Sequence, residues 1–230
     1  AQVIKIEILT SKNFPINART ILSPLIIQKR VFWGNGISLN FNYGHSPLRF
    51  GGDLLIVESS FHGSAWTFET ERIIQEFRNW QKYFTSVVYL DTSDSSALLH
   101  PEILPFVDGY LKGQTLKNKR EYLKAHYGRR IFTEYVNKKF DITDNKPVFS
   151  TAVQNPEDLE KINVLWNSAL YDWSQKGRIF DKLASMTRSR AFIRTPKPYP
   201  LRKKEKVKKA WEALISMDLN GLCKKNISTS

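Results

Sequence analysis

The residues best equipped for chemistry stand where apolar runs give out. The stretch VVYLDTSDSS, Val87 to Ser96, passes from four apolar or aromatic residues into Asp91, Thr92, Ser93, Asp94, Ser95 and Ser96. DLLIVESS, Asp53 to Ser60, ends in Glu58, Ser59 and Ser60, with His62 just beyond. FVDGYLKGQ, Phe106 to Gln114, ends in Lys112 and Gln114. Together these ends supply carboxylates, an imidazole, hydroxyls, an amide and a cation. Such a set can bind a polar substrate and move a proton. Each member also has a structural alternative. Asp94, Ser95 or Ser96 can cap a short helix running to Leu99. Asp91 can close an Asx turn. Glu58 can pair with a lysine, Lys112 can snorkel at a sheet edge, and His62 is either a general base or a loop histidine.

The pattern around them says what positions them. VIKIEILT (Val3–Thr10) and ISLNFNY (Ile37–Tyr43) alternate apolar and polar residues, which predicts half-buried strands. The continuous apolar runs at Asp53–Ser60 and Ser86–Ser93 predict strands covered on both faces. Residues 16 to 33 are helical in pattern. Ser23-Pro24 matches an N-cap followed by proline at the first helical position, so the main helix is expected to start there and to stop at Gly34 or Gly36. A second helix is predicted from about Thr67 to Phe84, with Phe68, Ile73, Ile74, Phe77 and Trp80 on one side. A fifth strand is expected within Phe106–Gln114. Strands alternating with amphipathic helices predict an α/β, Rossmann-like, mostly parallel three-layer sheet in residues 1–115. In such sheets ligands bind beyond the carboxyl ends of the strands, where the polar clusters lie.

The expected organisation continues with a helical and looped extension over 116–195, packed on the core. There Asn155 and Pro156 open a helix whose buried stripe is Leu159, Ile162, Leu165 and Trp166, and another helix runs from Gly177 to Arg190. Residues 196–230 read as a proline-containing linker and a basic terminal helix ended by Gly221.

Composition narrows the chemistry further. The formal net charge of +13 suggests a polyanionic partner: nucleic acid, an anionic membrane surface or phosphorylated substrates. Lys197 to Lys225 holds nine Lys/Arg against three acids, and Lys112 to Lys139 interleaves cations with Tyr122, Tyr127, Phe132 and Tyr135. Both stretches also fit solvated helix faces. The single cysteine, Cys223, forms no internal disulfide, and the four histidines (His45, His62, His100, His126) have no metal-ligand spacing, so no metal is expected. With no apolar run of membrane-spanning length and no secretory leader, the expected location is cytoplasmic. No P-loop, no GxGxxG after the first strand and no GxSxG is present. DTSD is not a DxD metal pair.

Four ordered segments carry a resemblance: VVYLDTSDSS, LPFVDGYLKGQTL, YGRRIFTEYV and VLWNSALYDWS. At these separations they resemble the N-terminal half of bacterial GT-B-type glycosyltransferases linked to surface polysaccharide, some with an exostosin-like C-terminal half. The matching residues are Asp91, Thr92, Ser93, Asp94 and Ser95; Val107, Asp108, Tyr110, Lys112, Gln114 and Leu116; Tyr127, Gly128, Arg130, Phe132 and Thr133; and Trp166, Asn167, Ser168 and Leu170. The resemblance implies an acceptor-side domain that transfers a sugar from a nucleotide-sugar substrate to a glycan or lipid-linked acceptor. No cofactor and no essential metal are implied. It implies that the base comes from Asp91, Asp94, His62 or Glu58, with Asp91 favoured. On charge alone, Lys112, Arg129 and Arg130 can hold an anionic acceptor, and Ser93, Ser95 and Gln114 can bind substrate. A donor-binding half would come from a second domain or chain, since none lies in these residues. The location could then be the inner face of the membrane. The competing expectation is a non-catalytic basic module for nucleic acid or an anionic surface.

Overall fold

The structure, a computed structural model, describes residues 3–44 and 51–166. Six strands form one all-parallel sheet in the order β2-β1-β3-β4-β5-β6. They are β1 (Ile4–Thr10), β2 (Ile37–Tyr43), β3 (Gly52–Glu58), β4 (Phe84–Asp91), β5 (Gly109–Lys112) and β6 (Ile162–Val164). The helices are α1 (Ile16–Ile27), α2 (Lys29–Gly34), α3 (Thr70–Trp80) and α4 (Ile131–Phe140), with 3-10 turns between them. This is a Rossmann-like α/β fold.

Two apolar layers sandwich the sheet. On one face Leu55, Val57, Val87, Tyr89 and Tyr110 pack with Ile73, Phe77 and Trp80 of α3. On the other Ile6, Ile8, Leu54, Leu90 and Leu111 pack with Ala18, Leu22 and Leu25 of α1. Neighbouring residues such as Leu54 and Leu55 therefore enter different layers, as the two-residue period of a strand requires. Both faces are covered, which is why β3 and β4 read as unbroken apolar runs.

The order reverses about β1. The chain runs out to β2 and returns past β1 to β3, so the boundary between β1 and β3 is the switch point of the sheet, where the general rule for such folds expects a ligand crevice. Thr10, Glu58, Asp91 and Lys112 all stand at the ends of their strands on this one edge.

Several expected boundaries move. Ser23-Pro24 does not start the helix: α1 begins at Ile16, behind Pro15, and carries Pro24 within it. Burial of Ala18, Ile21, Leu22 and Leu25 holds α1 through the proline, and the break falls at Gln28, between α1 and α2. The second helix is shorter than expected, and Phe68 stays outside it, 84% exposed. No helix follows Asp94: residues 92–100 form turns and bends. Asn155 does cap, accepting from the Glu157 amide at 3.2 Å, but it caps a 3-10 turn. Ile162 then enters β6 beside Tyr110 of β5. The expected helix at 177–190 and the terminal helix lie outside the described residues. Among the described residues no helix is long and apolar enough to cross a membrane.

Candidate functional site

The crevice edge is built from two saturated polar knots and one open cleft. The first knot surrounds Glu58, which is fully buried. Its Oε2 accepts from Thr10 Oγ1 at 2.8 Å and from Ser60 Oγ. Its Oε1 accepts from Thr92 Oγ1 at 2.8 Å, Ser60 N at 2.9 Å and Ser59 Oγ at 3.1 Å. Among the described residues no lysine pairs with it. Hydroxyls from the ends of β1, β3 and β4 converge on one carboxylate, so Glu58 ties three strands together.

The second knot is the Asp91–Lys112 pair, from the ends of adjacent β4 and β5. Lys112 Nζ donates to Asp91 Oδ2 at 2.8 Å and to Ser93 Oγ at 2.9 Å. Tyr110 donates its hydroxyl to the same Oδ2 at 2.8 Å, and Ser93 N donates to Oδ1 at 2.9 Å, closing the expected Asx turn. Burial alone would raise the Asp91 pKa, but the Lys112 charge and the bonds from Lys112 and Ser93 hold it below the usual range. Burial and the nearby Asp91 charge push the Tyr110 and Tyr89 phenols well up, so both stay neutral; Tyr110 donates to Asp91, and the Tyr89 hydroxyl accepts from the Trp66 indole at 3.2 Å. Lys112 does not snorkel; it is fully buried.

Above the second knot lies an open cleft of about 350 Å³, within the range of small-ligand sites. Asn17, Thr20 and Ile21 of α1 form one wall. Thr92, Ser93 and Asp94 after β4, with Gly113 and Gln114 after β5, form the base. Val164, Leu165 and Trp166 at the end of β6 close the other side. The Trp166 indole is fixed by donating to the Ile21 carbonyl at 2.7 Å. Asp94 is exposed, and among the described residues it receives only a long contact from Asn17 Nδ2, 3.5 Å. Among the described residues the lining contains no Lys, Arg or His.

The expected site residues therefore separate. Asp94, Ser93 and Gln114 meet in the cleft lining, whereas Asp91, Lys112 and Glu58 are buried in the two knots and are not part of that lining. His62 lies elsewhere, beneath α3. It is enclosed by Phe61, Trp66, Phe77 and Trp80, with Nε2 at 2.9 Å from Glu76 Oε2. Ser95 donates to the Arg129 carbonyl, pinning the loop before α4. Arg129 and Arg130 are exposed on that loop, outside the cleft lining. Gly128, ahead of them, has φ +65°, and an added Cβ would stand 2.4 Å from Thr133 Cγ2, so only glycine fits there. Among the described residues no group of three or more His, Cys, Asp and Glu is placed to hold a metal.

Sequence reasoning missed Asn17, Thr20, Ile21, Val164 and Leu165 as lining residues and gave Trp166 to a buried stripe. Asn17 was findable: it lies at the start of the helix that follows the first strand, on the ligand edge. Trp166 was not, because its place depends on a three-residue strand too short to show a period. Compared with protein-family models, with curated proteins and with solved structures, the chain matches none.

Proposed function

We propose that the cleft binds the sugar end of a glycan acceptor, and that the chain is the acceptor-side half of a glycosyltransferase. The observation that carries this reading is the lining formed by the described residues: hydroxyls, two carboxamides, an indole and one exposed carboxylate, with no cation among them. A polyhydroxylated neutral ligand suits such a surface. A phosphate backbone calls for Lys and Arg contacts instead.

In this reading Asp94 is the base, rather than Asp91. Both Asp91 oxygens already accept hydrogen bonds, and taking a proton would strip Lys112 of its counter-charge. Asp94 takes the proton of an acceptor hydroxyl as that oxygen attacks the anomeric carbon of the donor. The new glycosidic C–O bond forms, the bond to the donor phosphate breaks, and the nucleotide leaves with the electron pair. Gln114 and Asn17 orient the acceptor. The donor and its leaving phosphate belong to a donor-binding half supplied by a second domain or chain.

Ligand-observed NMR with a panel of mono- and oligosaccharides tests the reading. Saturation should transfer to a saccharide and be lost in Gln114→Ala, an exposed position whose change spares the fold. Asp94→Asn should keep binding and abolish transfer once a donor-binding half is supplied. Absence of saccharide binding, with oligonucleotide binding that falls steeply in salt, would overturn it in favour of a nucleic-acid module.

A further inference from the structure

Helix α4 is inside out. Its polar side faces the domain: Glu134 bonds the buried His126 Nδ1, whose Nε2 is 2.8 Å from the Glu121 carbonyl. Asn137 Nδ2 donates to the Ile142 carbonyl at 2.8 Å and to Thr143 Oγ1 at 3.1 Å. The other side carries Ile131, Phe132, Tyr135, Val136 and Phe140 at the i, i+4 spacing of one helix face. None of the ten residues of α4 is buried, and Phe132, Tyr135 and Phe140 are 62%, 57% and 58% exposed. A surface helix ordinarily turns its apolar stripe to the core, so this exposed stripe marks an interaction surface.

The cations along the stripe say which partner. Arg130 sits 5.7 Å over the Phe132 ring, and Lys139 lies 5.3 Å from both the Tyr135 and Phe140 rings. Arg129 and Lys138 are exposed beside them. The acid within the helix, Glu134, is already engaged by His126 and Lys138. Aromatic rings flanked by Lys and Arg match the boundary between acyl chains and anionic headgroups, where rings enter and cations stay at phosphate level. At ten residues the helix is too short to span a bilayer and long enough to lie in its surface. We infer that α4 is a membrane-surface anchor that docks the chain on anionic lipid through Phe132, Tyr135, Val136 and Phe140, with Arg129, Arg130 and Lys139 on the headgroups. This inference stands apart from the sugar-cleft reading.

Co-sedimentation of the full chain with vesicles tests it, using phosphatidylcholine alone and phosphatidylcholine with about a third phosphatidylglycerol. Binding should require the anionic lipid. The exposed triple variant Phe132→Ser/Tyr135→Ser/Phe140→Ser should weaken it by about tenfold or more, with the circular dichroism spectrum unchanged. Arg130→Glu/Lys139→Glu should do the same and remove most of the salt dependence. Equal binding of wild type and triple variant would overturn the inference and assign membrane attraction to the basic residues 197–225. Failure to bind anionic vesicles would overturn it too, as would a dimer that the triple variant dissociates, which would make the stripe an interface between copies.

Discussion

Strands β3 and β4 lie side by side and each ends in a buried carboxylate, yet the two are satisfied in opposite ways. Glu58 is surrounded by neutral donors: four side-chain hydroxyls and one backbone amide. Asp91 is neutralised by Lys112 and locked by Tyr110 and Ser93. The difference teaches where chemistry remains available. A carboxylate whose oxygens are already occupied and buried organises strand ends. The carboxylate free to act is Asp94, three residues on and exposed. The two knots also differ in fragility. Hydroxyl bonds are many and individually modest, whereas an ion pair depends on both partners.

Removing Lys112 should therefore have the largest effect. Lys112→Met leaves Asp91 buried without its counter-ion and should cost about 3–5 kcal/mol in urea unfolding. Adding Asp91→Asn should recover about 1–3 kcal/mol of that loss, the signature of a coupled pair; additive losses would break the comparison. Acid sharpens it. Because folding lowers the Asp91 pKa, its contribution is complete above the unfolded value of about 3.9 and is lost as pH falls through the lower folded value. Asp91→Asn should flatten the stability profile in that acid range.

Breaking the hydroxyl knot should cost less. Glu58→Gln turns an amide N–H2 toward hydroxyls that were donating, and should cost about 1–3 kcal/mol. Thr10→Val removes one bond of five and should cost about 1 kcal/mol. If Glu58→Gln proves as damaging as Lys112→Met, the two knots do not differ as described.

The alternation of apolar and polar residues was sufficient to find β2 to the residue, Ile37–Tyr43, because a half-buried strand writes its period into the sequence. The buried runs of β3 and β4 were equally plain. What escaped was set by distant partners. Pro24 looked like a helix start because local rules do not register the burial of Ala18 and Leu22 that carries α1 through it. Ile162 looked like part of a helical stripe because an Asn-Pro start reads alike for an α-helix and a 3-10 turn. Strand-end placement put Ser93, Asp94 and Gln114 on the edge where the structure has them lining the cleft. It could not separate Asp94 from Asp91, since which carboxylate Lys112 reaches depends on the register of β4 with β5.

His100 gives a smaller, pH-dependent effect at the edge of the same network. It stacks on Trp66, centroids 3.8 Å apart and planes 9° apart, and burial lowers its pKa to about 4. The unfolded chain takes up this proton near pH 6.5 and the folded chain does not, so stability should fall as pH drops from about 6.5 toward 4. His100→Gln should reduce that slope, and its ring signals in the wild type should not titrate above pH 5; a midpoint near 6.5 would contradict the packing. The smallest effect on stability belongs to Asp94→Asn, within about 0.5 kcal/mol, as befits an exposed side chain outside both knots.

The central claim is that the open cleft, and not the buried knots, receives a neutral sugar. Mapping ¹⁵N shifts during a saccharide titration tests it most directly. The Trp166 indole N–H and the Asn17 and Gln114 carboxamides should move together along one binding curve that added salt barely changes. Unmoved cleft signals, with shifts confined to the Lys and Arg surfaces on adding an oligonucleotide, would contradict it.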